Sequence, residues 1–340
     1  MGSVKDLKVV APPKERQPGT GIFVFSDRYS VFDWGEMPDH IAHKGEALCL
    51  IGAYFFEKAE AMGMATHYRG LVQNGRTFRL AELSAPAKAM EVALLNVVQP
   101  TLTGNVYDYS AYGPHLCNIL LPLEVIFRNT LPPGSSVFKR LQQGSLTLAE
   151  LGLTHPPQPG QVLDAPILDV STKLERTDRY LSWAEAQRIA GLSDQELAEL
   201  RTAASRLDEM ITAEAQRMGL VHEDGKVEFG LDDQRRLIVV DVIGTPDECR
   251  FTMDGVPVSK EVARVFYRKT AWFEEVDAAK KHDPIGWEAA VHADPPPLPP
   301  RLAELISFVY QGFCSELTGR RWFDCPPLAK TVAEIRSMLG

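Results

Sequence analysis

Lys226-Val227-Glu228-Phe229-Gly230, then the turn Asp232-Asp233-Gln234, then Leu237-Ile238-Val239-Val240-Asp241-Val242-Ile243, is the stretch on which the reading of this 340-residue chain rests. The first segment alternates polar and apolar residues and the last is strongly β-prone, so the spacing predicts a hairpin. Period two puts Lys226 and Glu228 on one face. An aspartate inside Leu237–Ile243 is costly to bury unpaired, so Asp241 is predicted to meet a cation, either Lys226 or a metal ion. Glu228 and Asp241 beside a lysine suit Mg²⁺ and nucleotide phosphates, because Mg²⁺ takes one or two carboxylates and keeps phosphate oxygens as other ligands. A structural Lys/Asp ion pair is the plainer reading of the same residues.

Two more places hold polar residues beside predicted strands. Ser26-Asp27-Arg28-Tyr29-Ser30-Val31-Phe32-Asp33 follows the apolar run Ile22–Phe25, where a strand hands over to a loop; a surface turn explains it equally well. Thr245-Pro246-Asp247-Glu248-Cys249-Arg250 is a turn after the hairpin, read together with Arg128-Asn129 and Gly134-Ser135-Ser136 after the predicted strand Ile119–Phe127. Arginine, hydroxyl and glycine amides together make a phosphate site, although each alone is more often a solvated charge or a simple turn. Neither G-x-x-x-x-G-K-[ST] nor G-x-G-x-x-G occurs, so P-loop and Rossmann readings have no support.

Outward from these segments, the length fits about two domains at roughly 150 residues each, with a boundary placed near residue 124. The N-terminal part (1–124) reads as β-rich and the larger remainder (125–340) as mixed. Helices are predicted over Glu46–Met62, after the S-x-x-E capping boxes at Ser182/Glu185 and Ser193/Glu196, and over Leu302–Phe313 and Leu328–Leu339. Hydrophobic residues at 45% and charged residues at 24% exclude a disordered or fibrous chain. A net charge of −9 argues against a protein that coats nucleic acid or anionic membrane. No apolar run reaches the roughly 18 to 20 residues of a spanning helix, and a cytoplasmic location is expected. The five cysteines are scattered without a C-x-x-C pair, and the eight histidines lack H-E-x-x-H spacing, which weakens disulfide and transition-metal readings.

In order along the chain, Gly2-Ser3-Val4-Lys5-Asp6, Ser26–Asp33, Lys44-Gly45-Glu46, Glu124–Asn129, Gly134-Ser135, Ser171-Thr172-Lys173-Leu174-Glu175, Asp224–Gly230 and Thr245–Arg250 resemble the SAICAR synthetase family (phosphoribosylaminoimidazole-succinocarboxamide synthases) over about residues 1 to 275. The resemblance implies an α+β fold of two lobes related to ATP-grasp and kinase-like ATP-binding domains, with C-terminal helices. The first lobe would bind ATP, and the larger one would carry substrate and Mg·ATP residues. It also implies a ligase that joins the carboxylate of carboxyaminoimidazole ribonucleotide to the amine of L-aspartate at the expense of ATP. Its partners would be small molecules, with the oligomeric state left open, a homodimer included. By matching position, Lys5 and Lys226 would contact ATP phosphates and Glu228 and Asp241 would hold Mg²⁺. Lys44 and Glu46 would sit near the substrate carboxylate and metal, and Lys226, Asp241, Glu46 and Lys44 would carry the chemistry. Arg128, Ser135 and Arg250 would bind the ribonucleotide phosphate and its neighbours, Asp27, Arg28, Ser30 and Asp33 would shape the adjoining site, and Lys173 and Asp178 would touch substrate.

The chain departs from the family pattern at Ser3, where a lysine is usual, at His43 within Ile41–Glu46, and at Val242 and Glu248 within Asp241–Arg250. The Tyr68–His115 region and the tail beyond Pro295 also differ from the usual family form. Two rival readings follow: a homologous ligase acting on a different heterocyclic carboxylate or amine, and a non-catalytic nucleotide-binding homologue.

Overall fold

The computed structural model describes residues 4–104, 106–283 and 286–339; Ser3 lies outside them. The chain opens with the antiparallel pair β1 (Lys5–Ala11) and β2 (Gly19–Phe25), turned by the Pro/Gly-rich break between them. Helix α1 (Lys44–Ala61) follows, starting at the Lys44-Gly45-Glu46 motif behind His43, whose backbone is left-handed at φ 61°. Burial on α1 is not confined to one face. Leu48, Leu50, Ile51, Phe55 and Phe56 are all buried, because the helix lies between the first sheet and a C-terminal helix. Gly45 is required there, since a Cβ would come within 2.9 Å of the Phe25 carbonyl.

Strands β3 (Tyr68–Gln73), β4 (Arg76–Phe78) and β5 (Ala89–Leu94) complete a five-stranded sheet in the order β1-β2-β5-β3-β4. A small ribbon, β6 (Thr101–Thr103) and β7 (Val106–Asp108), stands apart. Next come β8 (Ile119–Leu131), α2 (Ser136–Gln142), β9 (Gln161–Thr172), α3 (Trp183–Ala190), α4 (Asp194–Arg217), β10 (Val221–Leu231), β11 (Leu237–Val240), β12 (Cys249–Met253) and β13 (Val256–Pro257). The second sheet is ordered β13-β12-β10-β8-β9, with β11 paired to the far end of β10 as the hairpin reading requires.

The strand β8 outruns the predicted Ile119–Phe127 by four residues and passes through residue 124 without a break. Proline is rare in a central strand because it cannot donate to the ladder. Pro122 sits where the β8–β10 register jumps, between the Leu120↔Gly230 and Glu124↔Glu228 pairs, and just beyond the last β8–β9 pair at Leu123. The bulge removes the demand for its missing N–H.

Ser193 accepts the Glu196 amide at 3.2 Å and Glu196 accepts the Ser193 amide at 2.8 Å, closing the predicted capping box on α4. At α3 only the Ser182 half forms, because the Glu185 carboxylate turns to Arg179 at 2.9 Å. Buried Leu200, Ala204, Leu207 and Ile211 pack α4 onto β8, β9 and β10. Helices α5 (Glu261–Tyr267), α6 (Ala271–His282), α7 (Pro300–Thr318) and α8 (Leu328–Leu339) end the chain, with α7 against α1. The two sheets are stitched by isolated parallel bridges, Thr66↔Val239 and Asn96↔Ile119, and share one hydrophobic core.

Candidate active site

The β10–β8 ladder sets Glu228 opposite Glu124. Like charges directly opposed across strands repel, and Lys173 relieves this by bonding both, at 2.6 Å to Glu228 and 3.0 Å to Glu124. Lys226 also reaches the Glu124 carboxylate at 2.9 Å and lies 3.6 Å from Glu248. The lysine assigned to Asp241 from sequence is therefore engaged elsewhere; the cation on Asp241 is Lys5, at 2.8 Å. Asp241 itself lies one residue past β11 with a left-handed φ of 61°, so it is at a turn rather than inside a strand. That turn aims the carboxylate back at β1, and His67 Nε2 meets the Asp241 carbonyl at 3.0 Å. Burial, then the Asp241 charge, pushes Glu228 up to about 8, with Lys173 opposing. Burial also raises Asp241, but Lys5 outweighs it and holds the carboxyl below its ordinary value.

A second row crosses three strands. Arg128, Asp224 and Arg250 are direct neighbours on β8, β10 and β12. Arg250 grips Asp224 with two nitrogens, one at 2.7 Å, and Arg128 approaches the same carboxylate at 3.6 Å. Gly225 follows because β10 runs close between its neighbours: a Cβ there would meet Phe127 at 2.4 Å and Cys249 at 2.5 Å. Arg128 also donates to Ser136 Oγ at 3.2 Å and Tyr180 OH at 3.1 Å. These residues line a cavity of about 440 Å³, together with Lys226, Glu248 and Arg264. Buried Arg128 Nε and Ser171 Oγ have no hydrogen-bond partner among the described residues, and both residues line this cavity. The Ser135 hydroxyl accepts the Val137 amide and caps α2, while Gly134 and Ser136 on either side line the cavity.

Lys44 and Glu46 both meet partners within the protein. Lys44 is fully buried and donates to Asp247 at 2.7 Å and to the Arg28 carbonyl at 3.2 Å, so its charge is spent inside the protein. Asp247 takes Tyr310 OH on its other oxygen at 2.6 Å. Burial pulls the Lys44 ammonium below its ordinary range; burial raises Asp247 too, yet Lys44, Lys260 and Tyr310 bring it below the usual carboxylate value. Glu46 meets His43 at 2.5 Å, and no group of three or more His, Cys, Asp or Glu able to hold a metal occurs among the described residues. Asp27 accepts the Gly45 amide at 2.9 Å, and Arg28 bonds Asp6 at 2.7 Å; both brace the start of the fold. Ser30 and Asp33 do line a side cavity of about 180 Å³, and Asp33 is held by Lys280 at 2.8 Å. Asp178 lines the larger cavity, its carboxyl raised by burial and by Glu124.

On the other flank of Glu228 and Asp241 lies an apolar cleft of about 370 Å³ lined by Leu7, Val9, Phe23, Leu95 and Val97. Leu7 and Val9 are 50% and 53% exposed, which is costly for large hydrophobics unless a ligand covers them. Sequence reasoning missed this cleft, as well as Glu124, Tyr180, Asp224, Lys260 and Arg264. Glu124 and Asp224 stood in recognised motifs; alternate apolar Leu7 and Val9 in an N-terminal strand were the only local signal for the cleft.

Among the described residues no helix is long and apolar enough to cross a membrane. A family model for SAICAR synthetase matches residues 8–279. An Archaeoglobus fulgidus protein, provisionally named as a phosphoribosylaminoimidazole-succinocarboxamide synthase, is 50% identical over 339 residues, covering 100% of both chains. The Thermoplasma acidophilum phosphoribosylaminoimidazole-succinocarboxamide synthase is 34% identical over 327 residues, 93% of this chain and 100% of its own. The Saccharomyces cerevisiae SAICAR synthase structure, complexed with SAICAR, superposes with a TM-score of 0.64 at 22% identity, covering 95% of each chain. A SAICAR synthetase structure in complex with ADP gives 0.59 at 20% identity, covering 96% of this chain and 98% of that one. This is an ATP-dependent ligase that forms a carbon–nitrogen bond, with an α+β fold closed by C-terminal helices. The chain belongs to the SAICAR synthetase family, the ligases that make SAICAR in purine biosynthesis.

Proposed function

We propose that the apolar cleft holds the adenine of ATP, that the 440 Å³ cavity holds the carboxyaminoimidazole ribonucleotide, and that the two meet at Glu228 and Asp241. The observation that carries this is the position of those two carboxylates. Glu228 faces both a lysine network and Asp241, so its charge is only partly compensated by protein. Hard oxygen donors in that state fit Mg²⁺ bound to nucleotide phosphates, with Glu228 and Asp241 as its protein ligands. The yeast structure is complexed with SAICAR and the other SAICAR synthetase structure with ADP, which supports one nucleotide and one ribonucleotide site. We place the activity in the cytoplasm, with small molecules as its partners.

A carboxylate is a poor acyl donor, and Mg·ATP, when bound, supplies the phosphoryl group that converts one carboxylate oxygen into a leaving group. The protein's part is positioning and charge neutralisation. Lys5 and Lys226 are placed to offset phosphate charge at the seam, and Lys173 keeps Glu124 and Glu228 apart in orientation while neutralising both. Arg128 and Arg250, fixed by Asp224, offer guanidinium edges to the ribonucleotide phosphate, with Ser136 and Tyr180 holding Arg128 in plane. Burial of the row excludes water that would hydrolyse an activated carboxylate.

The test is coupled ADP release with Mg·ATP, L-aspartate and the carboxyaminoimidazole ribonucleotide, each omitted in turn. Strict dependence on all three is expected. ADP release that ignores the ribonucleotide or L-aspartate would overturn the substrate assignment.

A further inference from the structure

The β6–β7 ribbon belongs to the 68–115 stretch that departs from the usual family form, and its described residues line neither the apolar cleft nor the 440 Å³ cavity. Its two strands pair only with each other among the described residues. A lone two-stranded ribbon is marginal in water, and this one buries little, with Val106 70% and Leu102 38% exposed. Its anchors are tyrosines. Tyr112 donates its hydroxyl to the Val98 carbonyl at 2.8 Å, which ties the two ends of the ribbon together. Tyr107 and Tyr109, two residues apart and so on one side of the chain, both reach the loop that follows β9. The Tyr107 hydroxyl accepts the Arg176 amide at 2.9 Å, and the Tyr109 hydroxyl donates to Glu175 Oε1 at 3.0 Å. Glu175 does not line the cavity; its side chain is 5% exposed, and Arg179 bonds both of its oxygens from the other flank, at 3.0 and 3.2 Å. Burial, then the bond to Glu175, pushes the Tyr109 phenol up, so it keeps the proton it donates.

That loop carries site residues. Lys173 holds Glu228 and Glu124 with one ammonium, and Asp178 and Tyr180 line the 440 Å³ cavity. Both ends of the loop are fixed: Thr172 and Arg179 exchange hydrogen bonds at 2.9 and 3.0 Å across its neck, and the Lys173 amide donates to the Pro122 carbonyl at 3.0 Å. Between them the backbone is neither helix nor strand. Its middle is held, among the described residues, by Tyr107 and Tyr109 from outside and by Arg179 from within. An ammonium that must reach two carboxylates at once tolerates little displacement, and a loop meets that demand only with a supporting layer behind it. We propose that the ribbon is a latch on this loop and that Tyr109 is a positioning residue, acting through Glu175 to keep Lys173 between Glu124 and Glu228. The inference rests on the proposed function and deepens it, because it assigns the ribbon to the same site without giving it any contact with substrate.

The experiment uses the full-length protein with Tyr109→Phe, which keeps the buried ring and deletes one hydroxyl, with Glu175→Leu, and with the two combined. Tyr109→Phe is expected to lower kcat for ADP release about 10-fold to 100-fold, the cost of a small misplacement of a charged group. KM for Mg·ATP is expected to hold, because the loop forms no wall of the apolar cleft. Glu175→Leu should lose the same amount, and the double variant no more than either single one. Hydrogen exchange read by mass spectrometry should show residues 173–179 exchanging faster in Tyr109→Phe, with β8 and β10 as protected as before. Unchanged kcat or unchanged exchange in Tyr109→Phe would overturn the proposal. So would losses that multiply in the double variant, or a KM for Mg·ATP that rises as kcat falls, since a general loosening moves both. Complete loss of turnover in Glu175→Leu would put Glu175 in the chemistry itself and count against the latch. The exchange measurement needs no substrate, so faster exchange in Tyr109→Phe, beside an unmutated protein that releases no ADP with all three substrates, would keep the latch and sink the underlying functional reading instead.

Discussion

The Lys44–Asp247 pair allows a sharp energetic test. The Lys44 side chain is 0% exposed and that of Asp247 is 5% exposed, with 2.7 Å between charges. At an effective dielectric of about 20, the attraction is about 6 kcal/mol before desolvation is subtracted. Desolvation consumes much of that, but removal of one partner strands the other, and breaking a buried pair this way costs about 3–5 kcal/mol. Lys44→Met keeps the volume and leaves Asp247 with Tyr310 OH as its remaining hydrogen-bond donor. Asp247→Asn leaves a buried ammonium with the Arg28 carbonyl. The double variant removes both charges and keeps an acceptor for Tyr310. Urea unfolding followed by tryptophan fluorescence should show each single variant losing about 3 kcal/mol or more. The double variant should lose less than the sum, with a coupling energy of about 2 kcal/mol. Additive losses, or a Lys44→Met cost under about 1 kcal/mol, would refute the account and return Lys44 to the substrate.

Other outcomes follow from single features. Glu228→Gln or Asp241→Asn should abolish Mg·ATP turnover while leaving the circular dichroism spectrum unchanged; near wild-type turnover in either would remove the metal assignment. Gly225→Ala should destabilise by about 1–3 kcal/mol through overpacking against Phe127 and Cys249, and an unchanged urea midpoint would contradict the close approach. Burial holds His222 down to about 4, so its stabilising contribution is full above its unfolded value of about 6.5 and drains away as pH falls toward 4, by up to about 3 kcal/mol. Asp208, 3.4 Å away and pushed up to about 6 by burial, runs with the opposite sign below that pH. The clean readout is therefore the difference between the unmutated protein and His222→Asn in unfolding at pH 7 and 4.5, where the variant should lose less stability; equal losses would count against it.

What sequence revealed here depended on distance along the chain. The hairpin of Lys226 and Asp241 and the cap on α4 rest on neighbours within a few residues, and each is present. The charge of Asp241 was visible as an anomaly in an apolar run, and Arg250 as part of the turn that follows it. Their partners were not: Lys5 and Asp241 are far apart in sequence, as are Lys44 and Asp247, and no local pattern encodes which lysine meets which acid. Asp241 was misplaced inside its strand because β propensity continues into Val242 and Ile243, whereas the left-handed turn at Asp241 is imposed by tertiary contacts with Lys5 and His67. Ser135 and Ser136 are adjacent and chemically identical, so only the geometry of α2 tells the cap from the cavity wall.

The contacts of α7 set the order in which this protein gains competence as it emerges from the ribosome. Its Tyr310 completes Asp247, and its Ser307 donates to the Ala42 carbonyl at the start of α1. Both sheets can form beforehand from the first 257 residues. Until α7 docks, however, Asp247 lacks one of its two partners and the buried face of α1 stays open to solvent. The nascent chain therefore carries an exposed apolar face late in synthesis, the interval in which a chaperone holding α1 would do the most good and after which it would have nothing left to hold.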